Sequence, residues 1–281
     1  TRCVVCKNTL NFTKKYKILT KCKNCSHIFY DNDLNYKDLK KIYSNEYFFG
    51  KEYINYIEDK KQVEKNSLKR IKTIKKYIPN LSDKKLLEIG SAYGFFLNIV
   101  KNKFRELEGY EINKDAVNYA KKKFQINIFN DNFLDKKFNN TKFDVCCLFD
   151  VIEHLNDPDQ YIKKISENSS KNSFIFITTG DINSVLARIL GKNWRLIHPP
   201  SHIHYFSKRS IEKLLKNNGY EIISNTYLGY YRNLSFILNK LNFIKKNFNW
   251  LIKIIDYFNL SKFDIYINVY DIMLVVAKKN K

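Results

Sequence analysis

A chain of 281 residues with 44% hydrophobic and 15% aromatic side chains has the length and apolar material for one sizeable domain with appendages, which excludes an intrinsically disordered protein. No run approaches the roughly 18 apolar residues that cross a bilayer, and Thr1-Arg2-Cys3 opens without the apolar core of a signal peptide, so the expectation is a cytoplasmic protein with no transmembrane segment. The formal charge of +22 admits a nucleic-acid or anionic-membrane binder, but the excess is Lys spread along the whole chain beside abundant Asn and Ile, a pattern that A+T-rich coding also produces.

Four of the six cysteines form two knuckles, Cys3-x-x-Cys6 and Cys22-x-x-Cys25, with 15 residues between them. Each turn can offer two thiolates at about 2.3 Å to one zinc ion, and two turns close a tetrahedron with no position left for water, so the expected site is structural. Disulfides are the alternative, which a reducing compartment and a small segment in need of a metal staple both disfavour. His27 is left out of the ligand set because Cys25 already completes the second pair. Residues 1–30 thus read as a zinc-binding ribbon.

Residues 31–80 are rich in Tyr and Lys, and Val63, Leu68, Ile71, Ile74 and Ile78 recur at near-helical spacing before Pro79-Asn80, which predicts a helical bridge or cap. From 81 onward short apolar runs alternate with helical stretches, the signature of βαβ units and a mostly parallel sheet. Seven runs qualify as strands: 85–90, 106–112, 124–129, 143–149, 172–179, 220–228 and 271–279. Cys146 and Cys147 sit in the fourth, FDVCCLF, as core residues on opposite faces. Asp157-Pro158 with Gln160 predicts a capped helix start, and Ser207 and Gly219 bracket a helix through Leu214 and Leu215. The aromatic, basic stretch at about 231–262 reads as a helical insertion before the last strand, either a lid or scaffold on the domain or a membrane-surface element. Residues 81–281 form one domain around this insertion.

LLEIGSAYGFFL is a strand entering a small-residue turn and then a helix, with Gly90 and Gly94 where a ligand approaches the backbone. A dinucleotide fingerprint would need glycine where Ala92 and Phe95 stand, which argues against NAD. Glu111 closes the next strand 21 positions after Gly90, where a carboxylate can accept both hydroxyls of a free ribose.

EIGSAYG, GYEI, NDNF and FDVCCLFDVIEHL together resemble, in order and spacing, the motifs of class I S-adenosylmethionine (SAM)-dependent methyltransferases over about residues 85–280. WRLIHPPSHIHYFSKRSIEKLLKNNGYEI, the paired knuckles and YSNEYFFG resemble a subgroup with an N-terminal two-knuckle zinc module that often acts on small molecules or sugar precursors. Ala92 replaces the middle glycine of the motif. The resemblance implies a seven-stranded Rossmann-like α/β sheet carrying the ribbon and the insertion. It further implies that Glu88, Gly90, Ala92 and Gly94 surround the methionine part of SAM, that Glu111 takes the ribose, that Asp131, Asn132 and Phe133 hold the adenine, and that Asp150 lines the sulfonium end.

His154, in Glu153-His154-Leu155 just past the fourth strand, sits where parallel strands deliver residues to a ligand crevice, and is the first candidate for a general base; the alternative is a capping His. His202 and His204, with Trp194, Arg195 and Tyr205 near in sequence, fall in a loop that forms a candidate acceptor wall. A metal-dependent transfer requires Asp150, Glu153 and a His to converge. The leading expectation is an O-methyltransferase for a sugar, nucleotide-sugar or glycan precursor, with an acceptor that can bear phosphate. An RNA methyltransferase and a non-catalytic SAM-binding scaffold stand as alternatives.

Overall fold

The computed structural model describes residues 1–32, 34–44, 47–48, 56–139, 141–234, 237 and 263–280. Three short strands open the chain: β1 (Phe12–Lys15), β2 (Leu19–Cys22) and β3 (Ile28–Phe29). Two helices follow, α1 (Tyr36–Ile42) and α2 (Lys60–Tyr77). The central alternation is β4 (Lys85–Ile89), α3 (Phe95–Val100), β5 (Glu106–Tyr110), α4 (Lys114–Phe124), β6 (Ile128–Phe129), β7 (Phe143–Phe149), α5 (Pro158–Glu167) and β8 (Ser169–Gly180). The last part carries α6 (Val185–Leu190), β9 (His204–Tyr205), α7 (Lys208–Asn217), β10 (Tyr220–Tyr227), β11 (Tyr230–Asn233), β12 (Asp264–Ile267) and β13 (Ile272–Lys279).

Seven strands make one sheet in the order β10-β13-β8-β7-β4-β5-β6, parallel except for β13, which runs antiparallel to both neighbours. The seven apolar runs supply these strands. The third is shorter than its apolar pattern, because α4 continues through Phe124 and only Ile128–Phe129 pair. Near-continuous burial along β7 is what a central parallel strand covered on both faces requires. Its period of two divides the core. Cys146 and Leu148 join Ile175, Ile177, Met273 and Val275 on one side, while Val145 and Cys147 join Leu86, Phe176 and Val276 on the other.

The ribbon is not a separate bead. Strand β9, from the second half of the chain, pairs with β3 to complete a four-stranded sheet β1-β2-β3-β9. Cys3, Val5, Cys22 and Cys25 share one core with Phe206, Ile211, Leu214 and Leu215, and Asn217 Nδ2 donates to the Val5 carbonyl at 2.8 Å. The segment holding His202 and His204 is therefore partly strand, a correction to its reading as a loop, because its backbone groups are taken up by the ribbon.

Helix α2 buries Ser67, Ile71, Ile74 and, just past its end, Ile78, a spacing that turns Leu68 out to solvent at 54% exposure. Leu68 thus leaves the predicted apolar face. Asp157 caps α5 by accepting from the Gln160 amide, with Pro158 in the first turn, but the Gln160 side chain bonds the Asp157 carboxylate and not its backbone. Ser207 caps α7 as expected. Residues 230–233 are a strand, not the start of a helix, because they pair with β12 and because Asn66 of α2 bonds Tyr231 through both its amide nitrogen and oxygen. Within the predicted insertion, 235–236 and 238–262 lie outside the described residues. Among the described residues no helix is long and apolar enough to cross a membrane.

Candidate active site

Strand order reverses between β4 and β7, and a cleft of about 190 Å³, open at its mouth, lies at the C-terminal ends of these strands. Its floor is the turn after β4. Gly90 (φ 72°) lets the chain turn with no room for a side chain, since a Cβ there would stand 2.3 Å from Val151. Ala92 also adopts a positive φ of 45°. Gly94 does not line the cleft; a Cβ on it would meet Ala120, Ile126 and Ile128, so it serves the packing of α3 against α4 and β6.

Glu111, at the end of β5, is buried in the cleft wall. Its Oε2 accepts from the Ala92 amide at 2.7 Å and its Oε1 from the Asn113 amide at 2.8 Å. Burial raises its pKa and these amides oppose the rise. Each oxygen keeps a further lone pair for a ligand hydroxyl. Glu88 also lines the cleft, pushed up to about 8 by burial, with Oε2 lacking any hydrogen-bond partner among the described residues. Asp131 and Phe133 lie at the far end, Phe133 stacked on Tyr161, whereas the Asn132 side chain caps the turn at 133–135 and does not reach the cleft. These side chains fit a nucleoside with a free ribose: a carboxylate held by two amides, an orphaned buried acid oxygen and an aromatic wall.

Asp150 lines the cleft, but its carboxylate is committed. Oδ2 accepts from Arg70 Nη2 at 2.7 Å, and Oδ1 from Tyr230 Oη at 2.7 Å and Thr178 Oγ1 at 2.9 Å. Arg70 and Tyr230 thereby tie α2 and β11 to the C-terminal end of β7. Sequence reading missed Arg70 and Tyr230. The available signal for Arg70 was a lone Arg among the lysines of α2, one residue before the buried Ile71. The roof over the cleft comes from the Tyr-rich bridge: Tyr36, Tyr43, Tyr47, Phe48 and Tyr56 all line it.

His154 reaches the cleft at the end of this roof. Its Nδ1 lies 2.8 Å from the Ser201 carbonyl and 2.9 Å from Tyr43 Oη, which itself donates to that carbonyl at 2.5 Å. A carbonyl only accepts, so Nδ1 carries the proton and Nε2 the lone pair. Burial holds the ring near 4, so it is neutral at neutral pH. Glu153 is buried behind it and pushed up to about 8 by burial, with Oε2 unpartnered.

His204 does not join this group. It is buried in β9 at the seam with the ribbon, its Nδ1 facing His27 Nε2 at 3.1 Å and its Nε2 facing the Asn156 carbonyl at 3.4 Å. Trp194 and Arg195 bond Asp271 at 2.9 and 2.8 Å and anchor the loop to the start of β13, and Tyr205 bonds the His202 carbonyl; none of the three lines the cleft. The acceptor wall predicted from that loop thus reduces to its contact with His154.

In the ribbon, the sulfurs of Cys3, Cys6, Cys22 and Cys25 all lie within 4.8 Å of one another. Cys3–Cys25 and Cys6–Cys22 are each 3.5 Å apart, far beyond a disulfide's roughly 2.05 Å and near the ~3.8 Å edge of a zinc–thiolate tetrahedron. The amides of Val5 and Cys6 point at the Cys3 sulfur and that of His27 at the Cys25 sulfur, so the donor set suits thiolates. The residue after each knuckle, Lys7 and Ser26, takes a positive φ. His27 stays outside the cluster, packed among Phe29, His204 and Phe206.

Comparison with known proteins places this geometry. A ubiquinone biosynthesis O-methyltransferase from Pelagibacter ubique is 28% identical over 171 residues, covering 52% of this chain and 70% of that protein. Magnesium protoporphyrin IX methyltransferase from Synechocystis, solved with bound S-adenosylhomocysteine (SAH), shares the fold with a TM-score of 0.55 at 13% identity, over 85% of this chain and 99% of that one. A SAM-dependent methyltransferase from Thermotoga maritima superposes with a TM-score of 0.54 at 16% identity, over 83% and 96% of the two chains. The family model described as a methyltransferase domain matches residues 61–225, more than half of the chain. The chain belongs to the methyltransferase domain family and is a SAM-dependent methyltransferase.

Proposed function

We propose that the chain transfers the methyl group of SAM to a hydroxyl of a sugar, nucleotide-sugar or glycan precursor, in the cytoplasm, and that a zinc ion in the four-cysteine cluster holds the ribbon to the catalytic core. The observation that carries the cofactor reading is Glu111, fixed by the Ala92 and Asn113 amides beside Gly90 with lone pairs left for a ribose. In this reading Phe133 and Asp131 hold the adenine, and Glu88, Gly90 and Ala92 surround the methionine part. Oxygen as the acceptor atom is supported by the name of the Pelagibacter relative. A hydroxyl-rich, phosphate-bearing acceptor suits a roof of tyrosines with Arg232 among the lining residues.

When bound, SAM supplies an electrophilic methyl, whose C–S bonding pair leaves with sulfur as the acceptor oxygen forms the new O–C bond. The protein's share is alignment and exclusion of water: the Tyr43–Tyr47–Phe48 roof covers the cleft, and the Arg70–Asp150–Tyr230 lock holds α2 and β11 in place. His154 Nε2 faces the acceptor and receives the hydroxyl proton. Incubation with methyl-labelled SAM and separate pools of nucleotide-sugars and RNA tests the assignment. Label in the sugar pool is expected; label in RNA alone would overturn the acceptor class.

A further inference from the structure

One lining residue of the cleft, His154, and two buried side chains outside its lining, Glu153 and His202, are arranged as ligands. A carboxylate oxygen of Glu153 and ring nitrogens of His154 and His202 lie within 4.8 Å of one another. Glu153 and His202 are 5% and 6% exposed, so this is a buried constellation and not a surface coincidence.

The second layer points the same way. His154 uses Nδ1–H on the Ser201 carbonyl, and His202 bonds the Leu196 carbonyl, so each imidazole is oriented by a backbone oxygen and keeps its other nitrogen. Metal-binding histidines are held in this manner. Glu153 Oε2 is buried with no hydrogen-bond partner among the described residues, an orphaned acceptor whose desolvation a cation would offset.

We propose that Glu153, His154 and His202 bind a divalent first-row transition-metal ion at the acceptor end of the cleft, separate from the cysteine cluster of the ribbon. Two imidazoles and one carboxylate suit zinc, manganese, iron(II) or cobalt, and leave coordination positions for an exogenous oxygen. This deepens, and rests on, the reading of the His154 wall as the acceptor end. In a metal-loaded site His154 would be a ligand in place of the proton acceptor described above, and the ion would supply Lewis-acid activation of an acceptor hydroxyl.

The test is titration of the full chain with Mn2+, a poor ligand for thiolates, followed by the electron paramagnetic resonance of the free ion. One bound equivalent is expected in the wild type, at least tenfold weaker in both Glu153→Gln and His202→Gln. Calorimetry with SAH on the same samples shows that each variant is folded; one that fails is replaced by His154→Gln. Mn2+ that stays free in the wild type, or folded variants that bind it as tightly as the wild type, would overturn the site. Bound Mn2+ with no hydroxyl acceptor methylated would uphold the site and sink the acceptor reading.

Discussion

The ribbon and the cleft are both built from polar side chains that burial leaves exposed to one another, yet they are built in opposite ways. The ribbon's four sulfurs come from two copies of one local turn within the first 25 residues, and the sulfurs face one another, backbone amides and the Asn8 side-chain amide. The cleft draws its lining from many elements far apart in sequence, and two of its buried polar atoms, Glu88 Oε2 and Arg70 Nε, have no hydrogen-bond partner among the described residues. A closed set of ligands stabilises; an open set with orphaned polar atoms is prepared for something that arrives.

That contrast can be broken by substitution. The largest effect is expected from Cys22→Ser, which removes one of the four clustered thiols at the centre of a core shared with α7: on the proposed zinc reading, zinc content falls from one equivalent toward zero and unfolding stability drops by more than about 4 kcal/mol, read by metal analysis and denaturant titration. Gly90→Val forces a β-branched residue into φ 72° and against Val151. A loss of about 3 kcal/mol is expected, together with loss of SAH binding by calorimetry. A folded Gly90→Val protein with wild-type cofactor affinity would show that the turn is not part of the site.

Arg70→Met leaves Asp150 without its charge partner, and because that carboxylate is about a third exposed the expected cost is discounted to about 2 kcal/mol. Turnover should fall further than cofactor affinity, since the roof loses its lock. Glu88 gives a pH signature. Its folded pKa of about 8 stands above the ordinary value of 4.5, so the native state holds a proton that the unfolded chain gives up, and stability declines as pH rises from about 4.5 to about 8. Glu88→Gln should flatten that slope in thermal melts, and an unchanged slope would remove Glu88 as its source. Leu68→Ala, on the exposed side of α2, should stay within about 0.5 kcal/mol of wild type.

How much of this was legible follows from sequence distance. The knuckles, the seven strand runs and the acid after β5 are local signals, since period, spacing and strand-end position are carried by neighbouring residues. Arg70–Asp150 and Tyr230–Asp150 span 80 positions each, and no local pattern marks them. His204 misled for the same reason: its character depends on β9 pairing with β3, a partner 175 residues upstream. Leu68 misled differently, because near-helical spacing tolerates an offset of one residue that three-dimensional packing does not.

The central claim is that the turn at Gly90 and the carboxylate of Glu111 share one nucleoside. A crystal structure of the zinc-replete protein with SAH tests it most directly. The account predicts both ribose hydroxyls within hydrogen-bonding distance of Glu111, with the thioether sulfur on the His154 side of the cleft. A nucleoside bound elsewhere, or a ribose with no contact to Glu111, would contradict it.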